Sequence, residues 1–524
     1  MKSFPKNFED YFYPFLIFFT AVSIYIQTIN VPLISDESFF IQRNQVASIK
    51  DAPSLFEKKY YDGYYYRPLP NFISGISTLI FKYNIPYYRI VNILLHSAAG
   101  VLIYIFLILL LKDNPRNKLT ALFSALFFIV FPLHDYAVIW QTDLFERVMI
   151  IFYLAGLIAF LRNGSKPGFY SMLFFALSLL SKEMAFSFPL VIGLIYFYFG
   201  EKKFNLKKSF RAFLPYFGIA AAFILLRIIL FNNNLFTAKD AHSTGTLLDV
   251  VKNYFIFSGL LAFPFYLREM QSFLLSHKIL TAAAALIFLT AVILVFSRRR
   301  KDYPAVFFIL FILMTIAPAS RLLMRWYLYL PSVGFTALLS YFIFSLKSKN
   351  LKLPLITSVV ILMIYSAALL RQESKWVRNS NEAVTAMKDF INSNRDEIIK
   401  NKQAEFLTIP AKIDDIPVFQ LGFDKLFNFY LGGNYNIKVE VDSKSYLSSF
   451  SDSVSVTSDK NKVILKQADS NYFILFNNGK NINFAQVKNK SSDINSLTIN
   501  KSEIKNKILY TFSNGKFYKI EGLE

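Results

Sequence analysis

Cysteine is absent from all 524 residues, which excludes disulfides, a thiol nucleophile and thiolate metal sites. Histidine is scarce: His96, His134, His242 and His277 are the only four, and their spacing matches no zinc helix motif, so a structural zinc site is not expected. Charged residues make up only 18% of the chain. No phosphate-cradling glycine-rich loop, Walker signature, dinucleotide fingerprint or nucleophile elbow occurs, so cytosolic nucleotide chemistry is not expected. The helical period of about 34 residues that marks tetratricopeptide repeats is missing as well.

Apolar residues dominate instead. The chain is 54% hydrophobic and 18% aromatic, with a mean hydropathy of +0.38, too apolar for a soluble domain and consistent with a polytopic α-helical membrane protein. The first run, Tyr11–Ile29, has no small-residue cleavage site and reads as a retained anchor. Further spans are expected at Tyr87–Leu111, Leu119–Leu133, Leu144–Leu161, Phe169–Leu180, Met184–Phe199 and Phe213–Phe231. Four more fall at Ile279–Phe296, Tyr303–Pro318, Trp326–Leu346 and Leu353–Leu370, whereas Tyr254–Leu267 is short and contains Pro264.

Basic residues orient these spans. Clusters occur at Lys112/Arg116/Lys118, Arg162/Lys166, Lys202/Lys203/Lys207/Lys208/Arg211, Arg298–Lys301 and Lys347/Lys349/Lys352. A cytoplasmic N-terminus puts all five on the cytoplasmic side if Tyr254–Leu267 does not cross, giving about eleven spans and an extracytoplasmic C-terminus. The net charge is +22; from Arg371 onward 22 Lys and Arg face 18 Asp and Glu, so residues 1–370 hold +18 of it. That excess beside apolar spans suits contact with anionic membrane lipid, more than nucleic acid. In a plasma (inner) membrane the external face then collects Asp36-Glu37, Arg67, His134-Asp135, Asp143, Lys182-Glu183, Arg321/Arg325 and the C-terminal region.

Residues 1–370 form the membrane domain, with a first external loop at about 31–86. An amphipathic helix is expected over Glu373–Asn392, within a 371–400 connector. Residues 401–524 read as a small extracytoplasmic β-rich domain, with strands at Phe406–Ile409, Val418–Leu421, Ile437–Val441, Val454–Thr457, Val463–Leu465, Tyr472–Phe476 and Ile508–Phe512. Turns are marked by Asn478-Gly479 and Asn514-Gly515.

Adjacent carboxylates at a membrane exit, Asp36 and Glu37, suit a general base or a divalent-metal ligand, and also suit the solvated start of a loop. Lys182-Glu183 is either an ion pair at a helix break or a place where Lys182 holds an anionic phosphate. Arg321 and Arg325 share a face if their turn is helical, and two neighbouring cations favour a phosphate between them or contact with headgroups. Arg67, before Pro68, either pairs with Asp36 or Glu37 or binds substrate. His96 reads as a buried helix contact, and His134 either orients substrate hydroxyls or sits at the interface. Asp143 and Arg147 have the spacing of a helical ion pair.

Several segments resemble one family. Asp36-Glu37 is similar to the acidic pair of protein O-mannosyltransferases and other membrane glycosyltransferases of the GT-C class. Tyr66-Arg67-Pro68-Leu69 and Tyr88-Arg89-Ile90-Val91-Asn92-Ile93-Leu94-Leu95-His96 resemble a pattern of the transmembrane and tetratricopeptide-repeat O-mannosyltransferases. Phe131-Pro132-Leu133-His134, Thr142-Asp143-Leu144, Ser181-Lys182-Glu183, Tyr329-Leu330-Pro331-Ser332-Val333-Gly334 and Trp376 follow in that family's order. Arg89 stands where the family usually has His, Asp135 where it usually has Pro, and the repeats are absent.

The resemblance, over about residues 1–390, implies a GT-C-like fold and inverting transfer of a sugar, a mannose-like hexose, from a polyprenyl-phosphate-linked donor. The acceptor would be a protein, glycolipid or polysaccharide hydroxyl. Asp36 would be the general base and Glu37 its helper. Lys182, Arg321 and Arg325 would stabilise the leaving phosphate, and Arg67, His96, His134, Asp143, Glu183 and Tyr327 would support substrate. No cofactor is required; Mg²⁺ or Mn²⁺, if used, would sit at Asp36 and Glu37. The competing classes are a lipid-linked sugar transporter or flippase, disfavoured because no inverted repeat is visible, and an inactive envelope-polysaccharide assembly factor.

Overall fold

Apolar runs separated by Pro and polar breaks give mostly helix in a computed structural model, followed by a small sheet region. The structure describes residues 8–57, 65–112, 114–199, 206–231, 247–262, 303–320, 324–372, 374–414, 416–432, 435, 437–458, 462–467, 473–475, 496–500 and 508–520. Outside them lie the expected span Ile279–Phe296, Arg321, the clusters Lys202/Lys203 and Arg298–Lys301, His242, His277 and the Asn478-Gly479 turn. The chain divides into two compact units. One comprises Met1–Ile26, Val46–Ile80 and Tyr87–Arg371; the other comprises Gln27–Gln45, Phe81–Pro86 and Gln372–Glu524.

In the first unit, five helices among the described residues are long and apolar enough to cross a membrane: Glu9–Asn30, Ile85–Leu110, Gln141–Arg162, Phe213–Leu230 and Asn350–Ala368. A sixth is counted if Asn117–Ile129 and Pro132–Ile139, bent by 52°, are one span. The run expected to continue from Leu119 to Leu133 therefore breaks. Pro132 supplies no N–H to a continuing helix and starts a 3-10 turn instead. The run from Trp326 to Leu346 is likewise split, because its helix begins only at Pro331, with Pro at the first helical position. Pro68 similarly opens the helix Pro68–Phe81, inside the stretch expected to be a loop.

Gln141–Arg162 is the inner helix, with 72% of its apolar window buried, against 11% for Asn350–Ala368. Small hydroxyl side chains join its neighbours to it. Ser178 Oγ donates to the Met149 carbonyl at 3.0 Å, and Ser171 Oγ donates to the Gly156 carbonyl at 2.8 Å. Such short side chains allow close helix approach and satisfy each other where water is absent.

The second unit is built on β1 (Gln403–Ile413), buried almost throughout. It pairs with β2 (Ile416–Pro417) antiparallel and with β3 (Lys438–Val441) and β4 (Ser443–Leu447) parallel. Then β5 (Val454–Ser458), β6 (Lys462–Gln467) and β8 (Ser496–Asn500) form an antiparallel three-stranded sheet, while β7 (Phe473–Leu475) joins β4. β9 (Leu509–Ser513) lies parallel to β1 and turns through Asn514-Gly515, both at positive φ, into β10 (Lys516–Lys519). Two successive left-handed residues are what an Asn-Gly hairpin supplies.

A parallel central strand needs cover on its faces. The amphipathic helix Ser374–Asn401 supplies some, burying Trp376, Val384, Met387, Phe390 and Ile391. The helix Phe423–Leu431 supplies more, and its Phe423 and Phe427 meet Phe406 of β1. Val418–Leu421, expected as a strand, is not one. Its backbone bonds go elsewhere: Phe419 N–H to the Ala411 carbonyl at 3.2 Å and the Val418 carbonyl to Ser35 N–H at 2.7 Å.

Candidate functional site

Asp36 and Glu37 lie in the second unit at 4% and 0% exposure. The chain from Val31 turns at Ser35, whose φ of +50° is left-handed, and delivers Asp36 to the N-cap of the helix Glu37–Arg43. The Asp36 carboxylate does not cap that helix. Glu37 is tied back instead, its Oε2 accepting the Ile34 N–H at 2.9 Å while its own N–H donates to the Ile34 carbonyl at 3.1 Å. Glu37 closes the turn.

Most of the other candidates lie in the first unit. Lys182 is extended, at φ −162° and ψ 148°, between Ser181 and the 3-10 turn Glu183–Ser187. Consecutive side chains on extended backbone point apart, so Lys182 and Glu183 do not pair with each other as expected. Lys182 Nζ binds Glu146 Oε1 at 2.5 Å, with side-chain exposures of 3% and 0%. Glu183 Oε2 accepts Arg67 Nε at 3.0 Å and Nη2 at 2.8 Å, and its Oε1 lies 3.8 Å from Arg227 Nη1. Glu183 is thus a carboxylate partner of Arg67, for which the sequence left open pairing with Asp36 or Glu37 or substrate binding. The Tyr327 ring sits 4.8 Å from Lys182 Nζ, and Tyr65 and Phe145 face the Arg67 guanidinium.

Arg325 pairs with Asp135 and lies over the Tyr136 ring. It opens a 3-10 turn, Arg325–Leu328, after an extended Met324. Met324 is not part of a helical turn leading into Arg325, and Arg321 lies outside the described residues. Asp143 is buried in the 3-10 turn Gln141–Asp143. Its expected helical partner, Arg147, donates to the carbonyls of Ala137, Val138 and Trp140 and, at 2.8 Å, to Asn92 Oδ1. Arg89 donates to the Ile139 carbonyl at 2.6 Å. These are carbonyls that the short helix Asp135–Ile139 leaves without helical partners, so both arginines satisfy a buried helix end. His96 bridges the Tyr329 hydroxyl at 2.7 Å and the Ile129 carbonyl at 3.2 Å, the buried helix contact expected of it. His134 is wholly buried, with Nε2 3.0 Å from Ser332 Oγ.

Among the described residues the ion pairs of this region include Lys182–Glu146, Arg67–Glu183 and Arg325–Asp135, with Arg227 at 3.8 Å from Glu183. No family model matches the chain, and no curated protein does. Among the described residues no group of three or more His, Cys, Asp or Glu gathers that could hold a metal ion. Asp36 and Glu37 would offer a cation two carboxylates, the rest of its shell coming from water or phosphate, as Mg²⁺ accepts.

Sequence reasoning missed Glu146 and Arg227. Each is an ionisable residue inside an apolar run, and that alone marks it for notice.

Proposed function

We propose that this chain is an inverting glycosyltransferase of the extracytoplasmic membrane face, moving a hexose from a polyprenyl-phosphate donor to an acceptor hydroxyl. The observation that carries the reading is the gathering of ion pairs buried in the apolar first unit, Lys182 on Glu146, Arg67 on Glu183 and Arg325 on Asp135. Ionisable side chains held inside apolar helices mark substrate paths, and a lipid phosphate is an anion that arrives through the bilayer and meets such cations. The succession of segments resembling GT-C enzymes, and the absence of nucleotide motifs, support the same reading.

On this reading eleven spans cross the membrane, the N-terminus is cytoplasmic and the C-terminal region is external. Asp36 accepts the proton of the acceptor hydroxyl. The hydroxyl oxygen bonds to the anomeric carbon as the bond from that carbon to the phosphate oxygen breaks, and the lipid phosphate leaves with the electron pair. Lys182, Arg325, Arg321 and Arg67 stabilise its charge, Lys182 as a point charge and the arginines as planar donors. Glu183 and Glu146 hold Arg67 and Lys182 in place before the donor arrives.

The test is transfer from a polyprenyl-phosphate hexose by the purified protein and by Asp36→Asn. Loss of at least about 100-fold in kcat is expected for removal of a general base. Activity near wild type removes Asp36 from that role. Movement of the donor across vesicles with no sugar consumed would make the chain a transporter.

A further inference from the structure

The C-terminal sheet has no part in the chemistry outlined above, yet within the second unit it holds the acidic turn directly. Ser35 N–H donates to the Val418 carbonyl at 2.7 Å, and Ser35 Oγ accepts the Leu421 N–H at 3.0 Å, across 386 residues of sequence. Ser35 keeps a left-handed φ of +50°, a conformation that persists in a residue with a side chain when its surroundings over-determine it. Gly422, at φ +63°, comes so close that a Cβ there would stand 3.2 Å from Asp36 Cα and 3.5 Å from the Ser35 carbonyl oxygen.

The 418–422 segment is fixed in turn. Phe419 N–H donates to the Ala411 carbonyl of β1 at 3.2 Å, and Lys444 Nζ, from β4, donates to the Gln420 carbonyl at 2.5 Å. Lys425 and Leu426 N–H then bond the Gly422 carbonyl at 3.1 and 3.0 Å and start the helix Phe423–Leu431, which packs on Glu37–Arg43. A continuous path of backbone bonds runs from the central strand to the residue next to Asp36.

We propose that segment 418–422 is a clamp that aims the Asp36 carboxylate, with Ser35 and Gly422 as positioning residues. This rests on the reading of Asp36 as the base. The sheet domain is then part of the catalytic apparatus, because a base displaced by about 1 Å loses on the order of 100-fold in rate. Gly422 meets two demands at once: a left-handed backbone and no side chain against Asp36.

The experiment uses the full chain, with Gly422→Ala, Ser35→Ala and, as a control straining the same sheet at its hairpin, Gly515→Ala. Amide hydrogen exchange over residues 34–40 reads the clamp without reference to activity, and transfer kinetics read its consequence. Gly422→Ala is expected to speed exchange there by about tenfold or more. It should lower kcat by at least about tenfold with KM for the lipid donor little changed, and exchange over 144–162 should not move. Ser35→Ala should do the same to a smaller extent and carries the test if Gly422→Ala does not fold.

Unchanged exchange in both variants overturns the clamp. Faster exchange with unchanged kcat, or an equal loss of kcat in Gly515→Ala, overturns the positioning role. If the wild-type chain transfers no sugar, the reading of Asp36 as base falls and the positioning role falls with it, while exchange still decides whether the clamp exists.

Discussion

Replacing Glu146 by Gln leaves the Lys182 ammonium buried without its carboxylate. The pair is short, 2.5 Å, and the side chains are 3% and 0% exposed, so little water can take over the lost charge. Tyr327, 4.8 Å away, offers a ring face in place of an anion, worth about 2 kcal/mol at a desolvated site and less than the lost carboxylate. Removing one partner of a buried pair typically costs about 3–5 kcal/mol, and here the upper half is expected because burial is nearly complete. The reverse argument fixes a second variant. Glu146→Gln combined with Lys182→Met removes both charges, so the double variant should recover much of the single variant's loss and fall short of wild type by about 1–3 kcal/mol, the cost of a buried amide without a partner. A double-mutant cycle, followed by denaturant unfolding of the purified full chain in detergent, measures the coupling directly. A coupling under about 1 kcal/mol, or a double variant as unstable as the single one, would refute the claim that this pair is a mutually dependent buried unit.

Arg67→Lys keeps the charge but loses one of two bonds to Glu183, and Arg227 remains at 3.8 Å, so a smaller loss of about 1–2 kcal/mol is expected in the same unfolding assay. Burial pulls the Lys444 amine down to about 8, a nearby Asp424 opposing it weakly. The folded chain therefore binds fewer protons than the unfolded one between about pH 8 and 10.5, and stability should rise by up to about 3 kcal/mol across that window. Lys444→Met should abolish the rise, read by Trp376 fluorescence after Trp140→Phe and Trp326→Phe. Gly515→Ala places a Cβ 2.7 Å from the Phe450 ring at φ +73° and should destabilise the β9–β10 hairpin by about 1–2 kcal/mol, visible as faster amide exchange over 509–519.

The sequence by itself determined what depends on neighbours along the chain. Apolar runs became helices because backbone bonds within a helix need no distant partner. The amphipathic period after Arg371 placed Trp376, Val384 and Met387 on one buried face, and Asn514-Gly515 set a hairpin through its own backbone preferences. Prolines at 68, 132 and 331 set helix starts or breaks that hydropathy alone ran past.

Only the tertiary structure decided who meets whom. Lys182 and Glu183 are neighbours, yet one extended residue sends them to partners 36 and 116 positions away. β1 pairs parallel to β3, β4 and β9, a register that no local alternation records because both of its faces are buried. Asp36 was conspicuous as a residue, but the bonds of its neighbour Ser35 to Val418 and Leu421 and the close approach of Gly422 were not, since contacts across hundreds of residues act through space and leave no trace of spacing in the chain.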